Sequence, residues 1–380
     1  MRADFNVSIK DGVIQSNYRI TQTIPTIEYL LKRGCEVVIL SHLGRPKGER
    51  APEFSLEPIA RHLSELLNVD VRFVPDCIGD GVRQGLKKRV GGRVTLLENV
   101  RFHSAEEEND PDFAAQIITD AQPNYVVQDG FGVVHRAHAS TDSISHLKPA
   151  VAGLLLEREV ETLSSAMEEP EHPFVAVLGG AKISDKLPLV ERFLDSADTL
   201  LIGGAMANNF ISEAGHDVGE SLVDTEGMNA VRRIVSSAGE GQLVIPTDVV
   251  VAQAAEPGAD TRTCGLDDVG SHDKILDIGP ETVKAFEAKL DSAQTVVWNG
   301  TLGLSEFKEF AHASAVIAAK MSSLKNSTTI IGGGDTADFV LSWLRKNPDA
   351  NFTHISTGGG ASLELMSGKK LPGVEALLDK

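Results

Sequence analysis

Two lysines stand behind a glycine pair in Gly179-Gly180-Ala181-Lys182, with Lys186 four residues beyond Lys182. If Gly179-Gly180 opens a helix, both lysines fall on one face of its first turns. A cation there opposes the helix dipole. The arrangement makes sense when an anion is also present, held by the free backbone N–H groups of the helix start. Gly332-Gly333-Gly334-Asp335-Thr336 repeats the glycine turn and adds a carboxylate. Glycine lets a phosphate approach the backbone. Asp335 suits Mg²⁺, which takes one or two carboxylates together with substrate phosphates; its plainer role is a helix N-cap. Asn299-Gly300 and Thr357-Gly358-Gly359-Gly360 complete the set in the second half.

The first half supplies cationic side chains instead. Arg19, His42, Arg45, Arg101 and Arg136 lie among loop residues of a chain whose net charge is −18. One such residue reads as surface charge. Several on strand-end loops, against an unfavourable overall field, suit a small polyanion gripped by guanidinium forks. Asp4 and Asn6 are placed to accept hydrogen bonds from a substrate hydroxyl and to orient Arg19. His135 and His138 raise a metal site, but no third His or Cys is close in sequence, so anion or hydrogen-bond contacts fit better.

These loops follow apolar runs that read as buried strands: Glu36–Leu40, Arg93–Leu97, Tyr125–Val127, Phe174–Leu178, Thr199–Ile202, Gln242–Pro246, Thr295–Trp298, Thr328–Ile331 and Thr353–Ser356. Near-continuous Val, Ile and Leu means both faces are covered, and helical patterns alternate with the runs. The expected fold is α/β, two doubly wound parallel-sheet, Rossmann-like domains joined by a hinge helix. Leu156, Val160, Leu163 and Met167 recur at helical spacing until Pro170 and Pro173. The boundaries expected are residues 1–153 for the first domain, 154–170 for the linking helix and 171–363 for the second domain. The tail, about 364–380, returns to the first domain. Ligands of open parallel sheets bind beyond the carboxyl ends of strands, so two ligand surfaces are implied.

Composition excludes several classes. The acidic balance argues against nucleic-acid binding. No apolar run reaches the roughly 18 residues of a membrane span, and the start lacks a secretory apolar stretch. Cys35, Cys77 and Cys264 form no CxxC pair and read as reduced, core-filling thiols of a cytoplasmic protein. Glu106-Glu107-Glu108 and Lys87-Lys88-Arg89 read as solvated, and Asp110-Pro111 as an N-cap with proline at the first helical position. Gly332, Gly334 and Ala337 match the G-x-G-x-x-A dinucleotide fingerprint, but the region near His354 lacks the acidic residue that grips a ribose. No Walker A sequence and no protein-kinase catalytic loop occurs.

Taken in order along the chain, the motifs resemble one family. Asp4-Phe5-Asn6, Ser41-His42-Leu43-Gly44-Arg45-Pro46, Glu98-Asn99-Val100-Arg101-Phe102 and His135-Arg136-Ala137-His138 resemble the phosphoglycerate-binding half of phosphoglycerate kinase. Gly179-Gly180-Ala181-Lys182, Asp185-Lys186, Trp298-Asn299-Gly300, Gly332-Gly333-Gly334-Asp335-Thr336 and Thr357-Gly358-Gly359-Gly360-Ala361-Ser362 resemble its nucleotide half.

The resemblance implies reversible transfer of a phosphoryl group between 1,3-bisphosphoglycerate and ADP, giving 3-phosphoglycerate and Mg-ATP, by a glycolytic monomer whose domains close over both substrates. It assigns Asp4, Phe5, Asn6, Arg19, His42, Leu43, Gly44, Arg45, Arg101 and Arg136 to phosphoglycerate. Arg19 and Lys182 would act on the transferring group, and the N–H groups of Gly333, Gly334, Gly358 and Gly359 would cradle phosphate oxygens. Gly180, Lys186, Gly203, Gly204, Asn299, Glu306 and Thr336 would bind nucleotide, Gly203 and Gly204 at the adenine and Glu306 at the ribose. Asp335 would meet Mg²⁺. A non-catalytic nucleotide-binding scaffold is the alternative, opposed by the presence of Arg19, Lys182, Lys186 and Asp335. Departures from the family pattern are Ser8, Gln128, Gly130, Thr301 and Ser305. Only Met1-Arg2-Ala3 precede Asp4, short for a central strand, and the expectation is a start further upstream.

Overall fold

The computed structural model describes residues 1–10, 12–87 and 93–378; Lys88 and Arg89 lie outside them. The chain divides into two compact units, Met1–Glu161 with Lys369–Lys380, and Thr162–Gly368. The helix Leu154–Glu168 carries the chain from one to the other.

In the first unit, Val37–Ile39, Val94–Leu97 and Val71–Val74 form a parallel sheet with Val94–Leu97 in the middle. Val126–Gln128 pairs in parallel with Ala150–Ala152. Arg2 joins the two pieces, bridging Leu40 on one side and Gln128 on the other. Its neighbours complete the ladder: Arg2 N donates to Val127 O (2.7 Å), Ala3 N to Leu40 O (2.9 Å) and Leu40 N to Met1 O (2.9 Å). Three residues therefore hold the central sheet position. The Met1 ammonium is buried on Val38 O, 2.8 Å away, and desolvation lowers its pKa to about 5.

The second unit is built on six parallel strands in the order Leu243–Val244, Thr199–Ile202, Phe174–Leu178, Thr295–Asn299, Thr328–Gly332, His354–Ile355. Counted along the chain this is 3-2-1-4-5-6. The order reverses between Phe174–Leu178 and Thr295–Asn299, opening a crevice at their carboxyl ends. Phe174, Val177, Val297 and Trp298 are fully buried, as the apolar runs require.

Every strand read from the sequence is present: Phe174–Leu178 and Thr199–Ile202 have the expected bounds, Thr295–Asn299 and Thr328–Gly332 run one residue longer, Val126–Gln128 is shifted by one, and the other four are shorter at one or both ends. Missing from that reading are Val71–Val74, Ala150–Ala152, the hairpin Ile9–Lys10 with Val13–Ile14, and an antiparallel sheet in which Asp248–Ala252 lies between Arg262–Gly265 and Lys274–Ile278. Arg262–Gly265 is mostly exposed, so it carries no apolar run to betray it. Asp110 caps the helix Pro111–Ala121 as expected, accepting from Asp112 N and Phe113 N. Glu106 corrects the solvated-loop reading: it is fully buried and accepts from Ser140 N (2.9 Å) and Ser140 Oγ (2.6 Å). Cys77 is a core residue, but Cys35 is exposed and Cys264 half-buried, so core filling describes one thiol of three.

Candidate active site

Two surfaces, one per unit, gather the residues singled out above. On the first unit, Asp4, Phe5 and Asn6 follow the short central segment, and His42 to Arg45 follow Val37–Ile39. Phe5 is fully buried, and its N–H donates to Ser41 Oγ (2.9 Å), which itself donates to Ala3 O (2.8 Å). The anchored loop presents Asp4 Oδ2 to Arg19 Nη1 at 3.0 Å, and Arg19 Nη1 also donates to Asn6 O at 3.2 Å. Asn6 Oδ1 accepts from Gly44 N (2.9 Å). Arg19 sits in the first turn of the helix Tyr18–Lys32, whose start has no acidic residue and no side-chain cap. A cation and free N–H groups together suit an anion.

Arg101 is almost completely buried and donates through Nη1 to Gly44 O (2.8 Å). Gly44 holds a positive φ of 62°, and a Cβ there would strike the Phe54 ring at 2.3 Å. Leu43 is buried and its carbonyl accepts from Asn99 Nδ2 at 2.7 Å. Arg136 is half-buried and Arg45 exposed. Desolvation, then Arg2, lower the Arg101 pKa despite Glu107, and Arg136 is among the lesser influences. Guanidinium groups thus crowd one face, which favours a polyanion among them.

His42 is not one of the cations. It is buried, and desolvation together with Arg2, Arg101 and Arg19 holds its pKa well below 6.5. His138, lowered to about 4 by burial and the same kind of cationic surroundings, is likewise neutral. Both serve as hydrogen-bonding groups at pH 7. Behind them lies a network that sequence reading missed. The fully buried Arg2 donates through Nε to Ser140 Oγ (2.7 Å) and lies 3.2 Å from His42 Nδ1, while Ser140 is tied to Glu106. Only an arginine in an otherwise apolar stretch signalled it. Among the described residues, the one trio with metal-like spacing is Asp76, Cys77 and His103, not His135 and His138. Its carboxylate already carries Arg50 and His103.

On the second unit the glycine loops lie at the carboxyl edge of the six-stranded sheet. Gly179-Gly180 does not open a helix, correcting the expectation: a 3₁₀ turn begins at Ser184 and the α-helix at Leu187. The pair instead permits close contact between loops at the crevice. A Cβ on Gly179 would lie 2.1 Å from Thr301 O, and Gly180, at φ 107°, donates its N–H to Thr301 O (3.0 Å). Lys182 is therefore exposed on a loop, and does not share a helical face with Lys186.

Lys186 reaches the crevice, donating to Asn299 O (3.2 Å) and to Asn299 Oδ1. Burial lowers its pKa to about 8 against the pull of Asp335 and Asp185. Asn299 is buried and its Nδ2 has no hydrogen-bond partner. An orphaned donor beside Gly332 is a place for an oxygen ligand.

Two helix starts meet beside it. Gly333, at φ 86°, precedes the helix Gly334–Leu344, and Gly358 precedes Gly359–Met366. A Cβ on Gly359 would lie 2.6 Å from Gly334 N, while one on Gly334 would meet nothing within 4 Å. The two N-termini are close and one side is open, an anion cradle without side chains. Asp335 is exposed in the first turn of Gly334–Leu344. The buried Thr336 hydroxyl accepts from Gly300 N (2.6 Å), so it fixes the loop. Gly203 and Gly204 follow the strand Thr199–Ile202, and Gly204 N donates to Leu302 O (2.9 Å). Gly204, Leu302, Pro246 and Val249 line a small, mostly apolar cavity. Glu306 is exposed further along that loop.

Comparison with known proteins agrees with this geometry. The phosphoglycerate kinase family profile matches residues 1–369. A phosphoglycerate kinase of Pelotomaculum thermopropionicum is 45% identical over 382 residues, covering 100% of this chain and 96% of the relative. One from Gloeothece citriformis is 44% identical over 383 residues, 99% of this chain and 94% of the relative. The solved phosphoglycerate kinase of Coxiella burnetii superposes with a TM-score of 0.84 at 37% identity, covering 99% of this chain and 95% of that one. That of Pyrococcus horikoshii also gives 0.84, at 30% identity over the same shares. By profile, sequence and fold alike, the chain belongs to the phosphoglycerate kinase family.

Proposed function

We propose that this chain transfers a phosphoryl group reversibly between 1,3-bisphosphoglycerate and ADP, with phosphoglycerate on the guanidinium face of the first unit and nucleotide on the glycine loops of the second. The observation that carries the reading is the pair of complementary surfaces: arginines over a buried neutral His42, and convergent helix N-termini beside Lys186. An acyl phosphate or a carboxylate is already a competent partner for transfer. No protein nucleophile is required, and the residues need only align the groups and neutralise the equatorial oxygens.

Arg19, held by Asp4 and Asn6, is oriented before substrate arrives and takes the charge that develops on the transferring group. Lys182, on its exposed loop, is free to follow that group, and Lys186 binds the nucleotide phosphates. Gly333, Gly334, Gly358 and Gly359 offer backbone N–H groups to the phosphate oxygens. Asn299 Nδ2 is the remaining donor. The exposed Asp335 carboxylate beside this cradle fits Mg²⁺, which when bound supplies charge neutralisation of the phosphates. The backbone at Gly203 and Gly204 receives the adenine, and Glu306 the ribose hydroxyls. Each surface is complete within one chain, which supports a working monomer, and the three free thiols accord with the cytoplasm.

Paired calorimetry tests the assignment of halves. Arg101→Ala is expected to weaken 3-phosphoglycerate and spare Mg-ADP, and Lys186→Ala the reverse. Both ligands failing together, or the opposite pattern, would refute it.

A further inference from the structure

Asp277 is the penultimate residue of the strand Lys274–Ile278 and is 2% exposed. Nothing in the sequence patterns singles it out. Its Oδ1 accepts from its neighbour Ile278 N at 2.9 Å, and its Oδ2 accepts from Ala313 N at 3.1 Å. Ala313 belongs to the first turn of the helix His312–Ser323, whose own N-cap residue, Ala311, gives no side-chain bond. A carboxylate delivered from a strand thus does the capping that the helix lacks. Burial pushes this carboxyl up to about 7, opposed by the N–H groups of Ala313, Ile278 and His312.

The capped helix holds the loop that follows Asn299. Ser314 Oγ accepts from Leu302 N (3.0 Å), and Leu302 O accepts from Gly204 N (2.9 Å). The loop also touches the strand directly. Leu304 N donates to Leu276 O (2.8 Å), and Gly303 lies against the carboxylate so closely that a Cβ would come within 2.5 Å of Asp277 Oδ1. Strand, helix and loop meet at one buried carboxyl group, beside the cavity that Asp277 helps to line.

We propose that Asp277 is a positioning residue of the nucleotide site, fixing through the helix start and Gly303 the loop from Leu302 to Glu306 that receives the nucleoside. The proposal rests on the reading of that loop as the nucleoside contact. Both carboxylate oxygens accept N–H groups, so an amide of the same shape must turn an NH₂ toward one of them. Asp277→Asn therefore displaces the helix start and the loop without a change in volume.

Mg-ADP and 3-phosphoglycerate are titrated calorimetrically into wild type, Asp277→Asn and Lys186→Ala, with turnover at saturating nucleotide measured on the same samples. The expected result for Asp277→Asn is a Kd for Mg-ADP raised about tenfold, equal to ~1.4 kcal/mol, with the Kd for 3-phosphoglycerate and the saturated turnover unchanged. Should this variant fail to fold, Gly303→Ala pushes the same loop from the other side, and the same selective loss is expected. An unchanged Mg-ADP Kd in the Asp277 or Gly303 variant, with Lys186→Ala weakened, overturns the positioning role and leaves the nucleotide reading standing. If wild type itself takes up no Mg-ADP, both are overturned.

Discussion

Raising the pH should loosen nucleotide from this protein while leaving phosphoglycerate in place. Lys186 is the cation in the crevice, and burial beside Asn299 brings its pKa down to about 8. Asp335 and Asp185 work against that fall. At pH 7 the ammonium fraction is roughly nine-tenths and at pH 9 roughly one-tenth, on a pKa of about 8. A polyphosphate prefers the charged form, so binding takes up the missing proton and raises the lysine pKa in the complex. The sign follows. Mg-ADP affinity is flat below about pH 7.5 and falls above 8, approaching tenfold per pH unit until the pKa of the complex is reached. Between pH 7 and 9 the Kd should rise about tenfold. Calorimetry in buffers of differing ionisation enthalpy gives both the Kd and the protons taken up, and 3-phosphoglycerate on the same samples is the control. Lys186→Ala should bind more weakly and show no such slope. A wild-type Kd constant from pH 7 to 9.5, or an identical slope in Lys186→Ala, would refute the placement of this lysine on nucleotide phosphate.

Four further outcomes are expected. Arg19→Ala lowers turnover about 10²- to 10³-fold, ~3–4 kcal/mol for one charge-stabilising donor, with a much smaller loss of phosphoglycerate affinity in steady-state kinetics. Asp335→Asn raises the Mg²⁺ concentration needed for half-maximal rate, measured by Mg²⁺ titration at fixed ATP, with the Kd for 3-phosphoglycerate unmoved. The ring resonances of His42 stay at their neutral positions from pH 8 down through 6.5, because burial and the surrounding arginines keep its pKa well below 6.5. Asp129, whose carboxyl is raised to about 6 by burial, has one oxygen without a hydrogen-bond partner. A carboxyl raised in the fold stabilises at low pH and loses that contribution as pH climbs through about 6. Asp129→Asn should therefore raise the melting temperature at pH 8 more than at pH 5.

Much of this site was legible in the residues. Apolar runs followed by glycine and charge locate strands and the loops at their carboxyl ends, because a parallel sheet must bury both faces and leave its loops for ligands. Gly333 and Gly358 mark helix starts for the same reason. Less could be read where a side chain's state depends on distant neighbours. His42 looks cationic until Arg2 and Arg101 are placed beside it, and Glu106 looks solvated until Ser140 reaches it from 34 residues away. Gly179-Gly180 reads as a helix start, but the pair serves contact with Thr301, which only the sheet order brings near. Asp277 gave no signal, since its partners come from Ala313 and Gly303 and carry no unusual side chain. Ser8 and Ser305 have no consequence that the structure explains, whereas the fully buried Gln128 donates through Nε2 to Ser140 O and Thr141 O, both at 3.4 Å. Thr301 keeps the course of its loop by accepting Gly180 N and donating to Gly303 O.

On the proposed function, one chain carries both surfaces of a working phosphoryl transfer. Its most direct test is steady-state turnover of 3-phosphoglycerate with Mg-ATP, with the 1,3-bisphosphoglycerate formed reduced by a coupling dehydrogenase and NADH loss followed by absorbance. The expected result is NADH consumption that requires ATP, Mg²⁺ and 3-phosphoglycerate together and that falls about 10²-fold or more in Arg19→Ala. A folded protein that binds both ligands by calorimetry yet consumes no NADH above the uncoupled background would contradict it.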